Sequence, residues 1–228
     1  MKAMILAAGR GERMKPLTDT CPKPLLKVAG IPLIEHHIKK LKLAGITDIV
    51  INHAWLGEKI EQYFADGQAW GVNIQYSLEC DALETAGGII KALPLLGDSE
   101  FLIVNGDIYC DMPFTHLPKL KPGQLAHLFL VKNPEHNPNG DFYINDSHLS
   151  AELVTKEIDN STITRFTYSG IGIYHPKLFL GMAVEKAPLA PILKQAMQKH
   201  KISGTLYQGL WSDIGTPQRL EQINQLVS

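Results

Sequence analysis

Three short apolar runs, residues 3–7, 48–52 and 100–104, constrain the fold of this chain most strongly. Each is apolar almost without a break, the pattern of a strand buried on both faces in a parallel sheet. Helical spacing separates them. Residues 32–44 place Leu33, Ile34, Ile38, Leu41 and Leu43 among His and Lys, opening on Pro32 and stopped by Gly45. Residues 56–64 predict a second helix, residues 72–76 an alternating strand, and residues 85–96 a third helix opened by Glu84-Thr-Ala-Gly-Gly88. This alternation predicts an α/β fold with a doubly wound, mostly parallel, Rossmann-like mixed sheet. Ligands of such sheets sit beyond the carboxyl ends of the strands. Polar residues collect there: Ala7-Ala8-Gly9, Asn52-His53 and Asn105-Gly106-Asp107.

The second half has a different texture. A strand over residues 125–132 leads into a turn-rich loop, 133–141, and short strands follow through Tyr143, over 163–168 and over 171–174. A helix over 189–200, a strand over 205–210, a strand end at Trp211-Ser212-Asp213 and a helix over 217–227 complete the chain. With 228 residues, 45% hydrophobic and 20% charged, one globular domain is expected. A net charge of −1 argues against nucleic acid and anionic membranes as partners. No apolar run is long enough to span a bilayer and no leader precedes the first strand. Cys21, Cys80 and Cys110 form neither a disulfide framework nor a zinc motif, so a cytoplasmic protein is expected.

Behind the first strand, Gly9 and Gly11 are followed by Arg13, Lys15 and Lys23, with prolines at 16, 22 and 24. Glycines let backbone N–H groups approach a phosphate chain, and cations add charge-assisted hydrogen bonds. The segment reads as a polyphosphate cradle involving Ala8, Gly9 and Gly11. It is not a Walker loop, because no Gly-Lys-Ser/Thr closes it. Nor is it a dinucleotide fingerprint, because Met14 stands where a third small residue is needed and the prolines oppose an immediate helix. Asp107 and Asp213 each follow a predicted strand. Either alone reads as a turn or cap residue; beside a phosphate cradle they become two hard-oxygen ligands suited to Mg²⁺. No serine elbow or Cys–His pair suggests a covalent nucleophile.

The string Gly9-Arg-Gly-Glu-Arg-Met-Lys-Pro-Leu-Thr18, followed by Pro22-Lys23-Pro24, resembles the signature of the sugar-1-phosphate nucleotidyltransferases. The resemblance implies a fold of the nucleotide-diphospho-sugar transferase type and one domain over residues 1–228, with a nucleotide-binding half (1–111) and a sugar-phosphate-binding half (112–228). It implies that Arg13 grips the triphosphate and that Lys23 reaches the substrate phosphate. Thr85 and Gly87 would line the base and ribose pocket, with Thr85 or main-chain groups reading the base edge. Asp107 and Asp213 would hold Mg²⁺. Asn105, Asp141, Ser169 and Gly170 would face the sugar, with His53 a further candidate at its strand end.

Asn52-His-Ala-Trp55 and Gly209-Leu-Trp-Ser-Asp-Ile-Gly-Thr-Pro217 resemble the branch that transfers UMP, which implies UTP and a sugar 1-phosphate as substrates. Transfer to another sugar 1-phosphate, of the GDP-mannose or dTDP-glucose type, and a catalytically silent sugar-nucleotide sensor are the alternatives. The chain departs from the family in lacking Glu-Lys-Pro, which carries a second lysine for the sugar phosphate. Arg165 is the only arginine between Arg13 and Arg219 and lies outside the acceptor strings. A second anionic group on the acceptor is therefore expected to meet an open polar rim, with modest discrimination.

Overall fold

The computed structural model describes residues 1–145, 148–150 and 165–227. The first half contains β1 (Lys2–Ala7), β2 (Lys27–Val28), β3 (Ile31–Pro32), α1 (Leu33–Leu43), β4 (Asp48–His53), α2 (Gly57–Phe64), β5 (Asn73–Leu78), α3 (Glu84–Leu96), β6 (Phe101–Asn105) and β7 (Ile108–Cys110). The second contains β8 (Ala126–Val131), β9 (Phe142–Asn145), β10 (His148–Ser150), β11 (Arg165–Tyr174), α4 (Leu189–Gln198), β12 (Ile202–Leu206), β13 (Trp211–Asp213) and α5 (Pro217–Val227).

Nine strands form one sheet in the order β5-β4-β1-β6-β11-β8-β12-β10-β9. The first four are mutually parallel. β11 then runs antiparallel to both β6 and β8, and β12 returns parallel to β8. The chain winds outward from β1 through β4 to β5, then returns on the other side of β1 as β6. That reversal opens a crevice at the carboxyl ends of β1 and β6, where ligands of doubly wound sheets bind.

Both sheet faces are covered, which explains the unbroken apolar runs. Ala3, Ile5 and Ala7 of β1 share a core with Ile34, Ile38 and Leu41 of α1 and Ile60 and Phe64 of α2. Met4, on the opposite face, packs with Ala86 and Ile89 of α3 and Leu193 and Met197 of α4. A third cluster joins Met14, Leu26, Val28 and Leu33 to Ile214 and Ile223, fastening the loop behind β1 onto α5. Met14 is therefore a core residue of that loop.

Two local expectations are revised. The strands expected over 163–168 and 171–174 are one strand, β11, whose register shifts between Tyr168 and Ile171; residues 163 and 164 lie outside the described residues. β12 begins at Ile202, where a buried isoleucine pairs with Ala126, and has ended before Tyr207. The strand end expected at Trp211-Ser212-Asp213 is β13, whereas its partner β7 and the pair β2–β3 are too short to show a period in sequence.

Two buried histidines make the fold sensitive to acid. His37 is fully buried between α1 and β7, with Nε2 2.9 Å from the Ile108 carbonyl oxygen, and burial lowers its pKa from 6.5 to about 3. Burial likewise lowers that of His127, between Ser203 and Thr205, to about 4. Both stay neutral in the fold, so below pH 6.5 the unfolded chain binds protons that the native chain does not. Stability contributed by these groups is present above pH 6.5 and is lost as pH falls toward the folded-state values. His37 alone is expected to remove about 2 kcal/mol between pH 6.5 and 5. Denaturant titrations across that interval check this; an unchanged midpoint would contradict it.

Candidate active site

The crevice holds a cleft of about 210 Å³ lined by Ala8, Gly9, Lys23, Asn52, Thr85, Asn105 and Asp107, among others. Ala8 and Gly9 reach it directly from the end of β1. Gly11 shapes the loop from behind. At φ 68° it is in the left-handed region, and a Cβ there would stand 2.9 Å from Thr18 Cγ2. Its carbonyl accepts from Met14 N (2.8 Å) and Thr18 Oγ1 (2.8 Å). Trp55 Nε1 donates to the Thr18 carbonyl (3.1 Å) and Lys59 Nζ to that of Thr20 (2.5 Å), tying the loop to the segment after β4.

Lys23 opens a 3-10 turn, Lys23–Leu25, directly after Pro22. It is only 8% exposed, and its Nζ lies 2.5 Å from Asp107 Oδ2. The buried stem and flanking prolines aim the ammonium into the cleft. Arg13 is exposed on the turn Glu12–Met14 and does not line the cleft. Arg10 (2.8 Å) and Lys15 (2.7 Å) both pair with Glu12, whereas Arg13 forms no ion pair among the described residues. It is an uncommitted cation of the loop.

Sequence reasoning missed the network beside this cleft. Asn52 Oδ1 accepts from Ala7 N (3.0 Å), and Asn52 Nδ2 donates to Glu79 Oε1 (2.6 Å). Glu79 Oε2 accepts from Leu83 N (2.9 Å), so one buried carboxylate joins β4 to the start of α3. The only signal was a polar residue ending each apolar strand. Gly88 accommodates the network, since a Cβ there would stand 2.5 Å from Glu79 Oε1 and 2.8 Å from Asn52 Nδ2. Gly88→Ala is expected to cost about 1–3 kcal/mol of stability by overpacking and to weaken nucleotide binding. Thermal unfolding and nucleotide titration of this variant check both. Gly87 has a different place: a Cβ would meet the Glu185 carbonyl oxygen, and its N–H donates to the Ala187 carbonyl (3.2 Å), away from the cleft lining.

A second cleft, of about 540 Å³, adjoins the first and shares Glu84, Thr85 and Asn105 with it. Asp141 lines it, with Oδ2 accepting from Tyr168 N (2.7 Å) and Oδ1 from Asn137 Nδ2 (3.2 Å). Ser169 and Gly170 stand behind rather than in the lining. Ser169 is fully buried in the irregularity of β11; its Oγ donates to the Phe129 carbonyl (2.7 Å) and accepts from Ile171 N (3.2 Å). Gly170, at φ 80°, lets β11 turn tightly against the Asn105 side chain.

Two expectations fail. His53 is buried against Glu61 (2.7 Å) and the Tyr76 ring, outside both clefts, because α2 folds back over the end of β4. Arg165, expected outside the acceptor region, lines the second cleft, because β11 brings its first residue beside Asp141.

The two aspartates are carried by one ribbon. Asp213 of β13 stands opposite Ile108 of β7, and Ile214 N donates to the Asp107 carbonyl (2.8 Å). The Asp107 carboxylate lines the first cleft, while that of Asp213 forms a close ion pair with Arg219 and lies 2.9 Å from His136 Nε2. That contact is to Asp213 Oδ1, while Oδ2 faces Arg219, so both oxygens of this carboxylate meet nitrogen groups. No cluster of three or more His, Cys, Asp or Glu exists among the described residues. Two carboxylates carried side by side on one ribbon fit a hard divalent cation that draws its remaining ligands from water and substrate phosphates.

The sequence profile described as Nucleotidyl transferase matches residues 2–228. The chain belongs to this family. Its members among the relatives are sugar-1-phosphate nucleotidyltransferases, and the chain is an enzyme of that kind. It is 53% identical to the N-acetylmuramate alpha-1-phosphate uridylyltransferase of Neisseria meningitidis serogroup B, covering 99% of this chain and 98% of that one. It is 31% identical to the mannose-1-phosphate guanyltransferase of Hypocrea jecorina, over 95% of this chain but only 61% of that longer protein. Among solved structures, a putative glucose-1-phosphate thymidylyltransferase from Bacillus anthracis superimposes with a TM-score of 0.83 at 23% identity, covering 99% and 94% of the two chains. HddC from Yersinia pseudotuberculosis, complexed with GMP-PN, gives 0.76 at 19%, over 100% and 99%. These two establish the nucleotide-diphospho-sugar transferase fold for this nucleotidyltransferase. No helix among its described residues is long and apolar enough to cross a membrane.

Proposed function

We propose that this nucleotidyltransferase transfers UMP from UTP to N-acetylmuramate 1-phosphate, forming UDP-N-acetylmuramate and pyrophosphate, as a cytoplasmic step of cell-wall recycling. The observation that carries the reading is 53% identity to a uridylyltransferase for this sugar phosphate over nearly the whole of both chains. Two adjoining clefts, one beside the loop and one on the far side of Thr85 and Asn105, suit a triphosphate and a sugar phosphate meeting end to end. The first is built by residues 1–111 and most of the second by residues 112–228, which we take as the nucleotide and sugar-phosphate halves.

An acceptor phosphate oxygen is already ionised near neutral pH, so it attacks the α-phosphorus without a general base. The bond to pyrophosphate breaks as the new P–O bond forms. What the protein must do is hold two polyanions in line and offset their repulsion. Backbone groups of Ala8 and Gly9 cradle the triphosphate, with Gly11 fixing the loop's shape. Arg13 closes on the triphosphate from the mouth, and Lys23 neutralises charge at the reacting phosphate. Thr85 and main-chain groups at the start of α3 border the base and ribose. Asn105 and Asp141 hold the sugar, backed by Ser169 and Gly170. Asp107 and Asp213 would hold Mg²⁺, which when bound supplies charge neutralisation to the phosphates.

Four nucleoside triphosphates tested against several sugar 1-phosphates, with pyrophosphate release as the readout, decide the assignment. UTP with N-acetylmuramate 1-phosphate is expected to be the fastest pair. Faster use of mannose or glucose 1-phosphate would overturn it.

A further inference from the structure

The second cleft carries two cations that the transfer chemistry does not use. Arg165 enters it at the start of β11, and Lys194 from α4. The guanidinium of Arg165 is held firmly: Nη2 donates to the Asp141 carbonyl (2.6 Å), and the group lies 5.3 Å from the centre of the Tyr143 ring. Its Nε is buried with no hydrogen-bond partner among the described residues. A buried guanidinium N–H is costly unless something accepts from it. Lys194 is exposed and has no ion pair with a described residue.

Neither acidic side chain of the cleft forms an ion pair with these cations. The Asp141 carboxylate is occupied by Tyr168 N and Asn137, and that of Glu84 faces Lys186 at 3.7 Å. Phe142, Leu189 and Leu193 complete an apolar wall beside them. A cleft with two cations outside any described ion pair, next to an apolar wall, suits a sugar bearing both an apolar substituent and an anionic group.

We propose that Arg165 and Lys194 form an anion subsite that pairs a second, carboxylate charge on the acceptor, distinct from its 1-phosphate, and so set acceptor specificity. The proposal rests on the substrate reading above: N-acetylmuramate carries a lactyl carboxylate on O3, and N-acetylglucosamine does not. It replaces the open polar rim expected from sequence, because Arg165 is brought into the cleft by β11. The fixed guanidinium orients the carboxylate through a charge-assisted hydrogen bond. Lys194, on a flexible stem at the rim, adds a weaker, salt-sensitive attraction.

The test compares N-acetylmuramate 1-phosphate with N-acetylglucosamine 1-phosphate, both with UTP, in wild type and variants. Wild type is expected to prefer the carboxylate-bearing acceptor by about tenfold or more in kcat/KM. Arg165→Gln should erase most of that preference. Lys194→Gln, at an exposed position that leaves folding intact, should reduce it about threefold, chiefly through KM and less at high salt. Lys194→Glu should reduce it further, and Lys194→Arg should retain it. Equal losses for both acceptors, or an unchanged preference in Lys194→Gln and Lys194→Glu, would overturn the subsite. A wild-type enzyme that uses neither acceptor but is active on a plain hexose 1-phosphate would instead overturn the substrate reading, and the subsite with it.

Discussion

Lys23→Ala is expected to lower kcat by about 10²–10³-fold, the cost of removing one preorganised transition-state donor. The side chain is 90% covered, its turn is flanked by prolines, and its ammonium stands 2.5 Å from Asp107 at the junction of β1 and β6. Folding should suffer less than catalysis. The Asp107 side chain left behind remains 40% exposed and keeps its hydration. Arg13→Lys should also be harmful, since an ammonium cannot reproduce a two-pronged contact with phosphate oxygens. Pyrophosphate release and thermal unfolding, measured on the same preparations, separate the two effects. Near-normal turnover in Lys23→Ala would mean that the cradle has been wrongly assigned.

Asp107→Asn and Asp213→Asn are each expected to lower turnover by about two orders of magnitude or more, and excess chelator should abolish it. An amide keeps the shape of each side chain but removes the charge that a divalent cation requires. The second readout does not depend on turnover: Mg²⁺ should raise the unfolding temperature of the UTP complex in wild type, and each variant should need much more Mg²⁺ for the same rise. Asp213→Asn also loses the Arg219 pair, so its unfolding temperature without metal reports that separate contribution. Full activity in excess chelator would contradict the metal assignment.

Much of the scaffold was legible in the sequence because its elements are set by near neighbours. Residues 3–7 and 48–52 read as strands since both faces of each are covered, and that burial demands apolar side chains at successive positions. The last helix, Pro217–Val227, matches its expected bounds because proline favours a first helical position and the apolar spacing continues to the end. The segment from Gly9 to Pro24 could be recognised because its positive-φ glycine and its prolines record backbone geometry residue by residue.

Convergence of side chains was decided elsewhere. Asn52 meets Glu79, 27 residues away, only because β4 and β5 lie in parallel register and α3 starts beside them. Gly87 and Gly88 are adjacent in sequence, yet one packs on the Ala187 carbonyl and the other against the Asn52–Glu79 pair, since successive helical positions point about 100° apart. Ser169 carries a hydroxyl suited to a sugar, but the register shift in β11 turns it into the core, while the start of that strand delivers Arg165 to the cleft. Local spacing determines which residues form strands, helices and turns. Which of them face one another depends on strand order, register and irregularity, which arise only when segments far apart in sequence pack together.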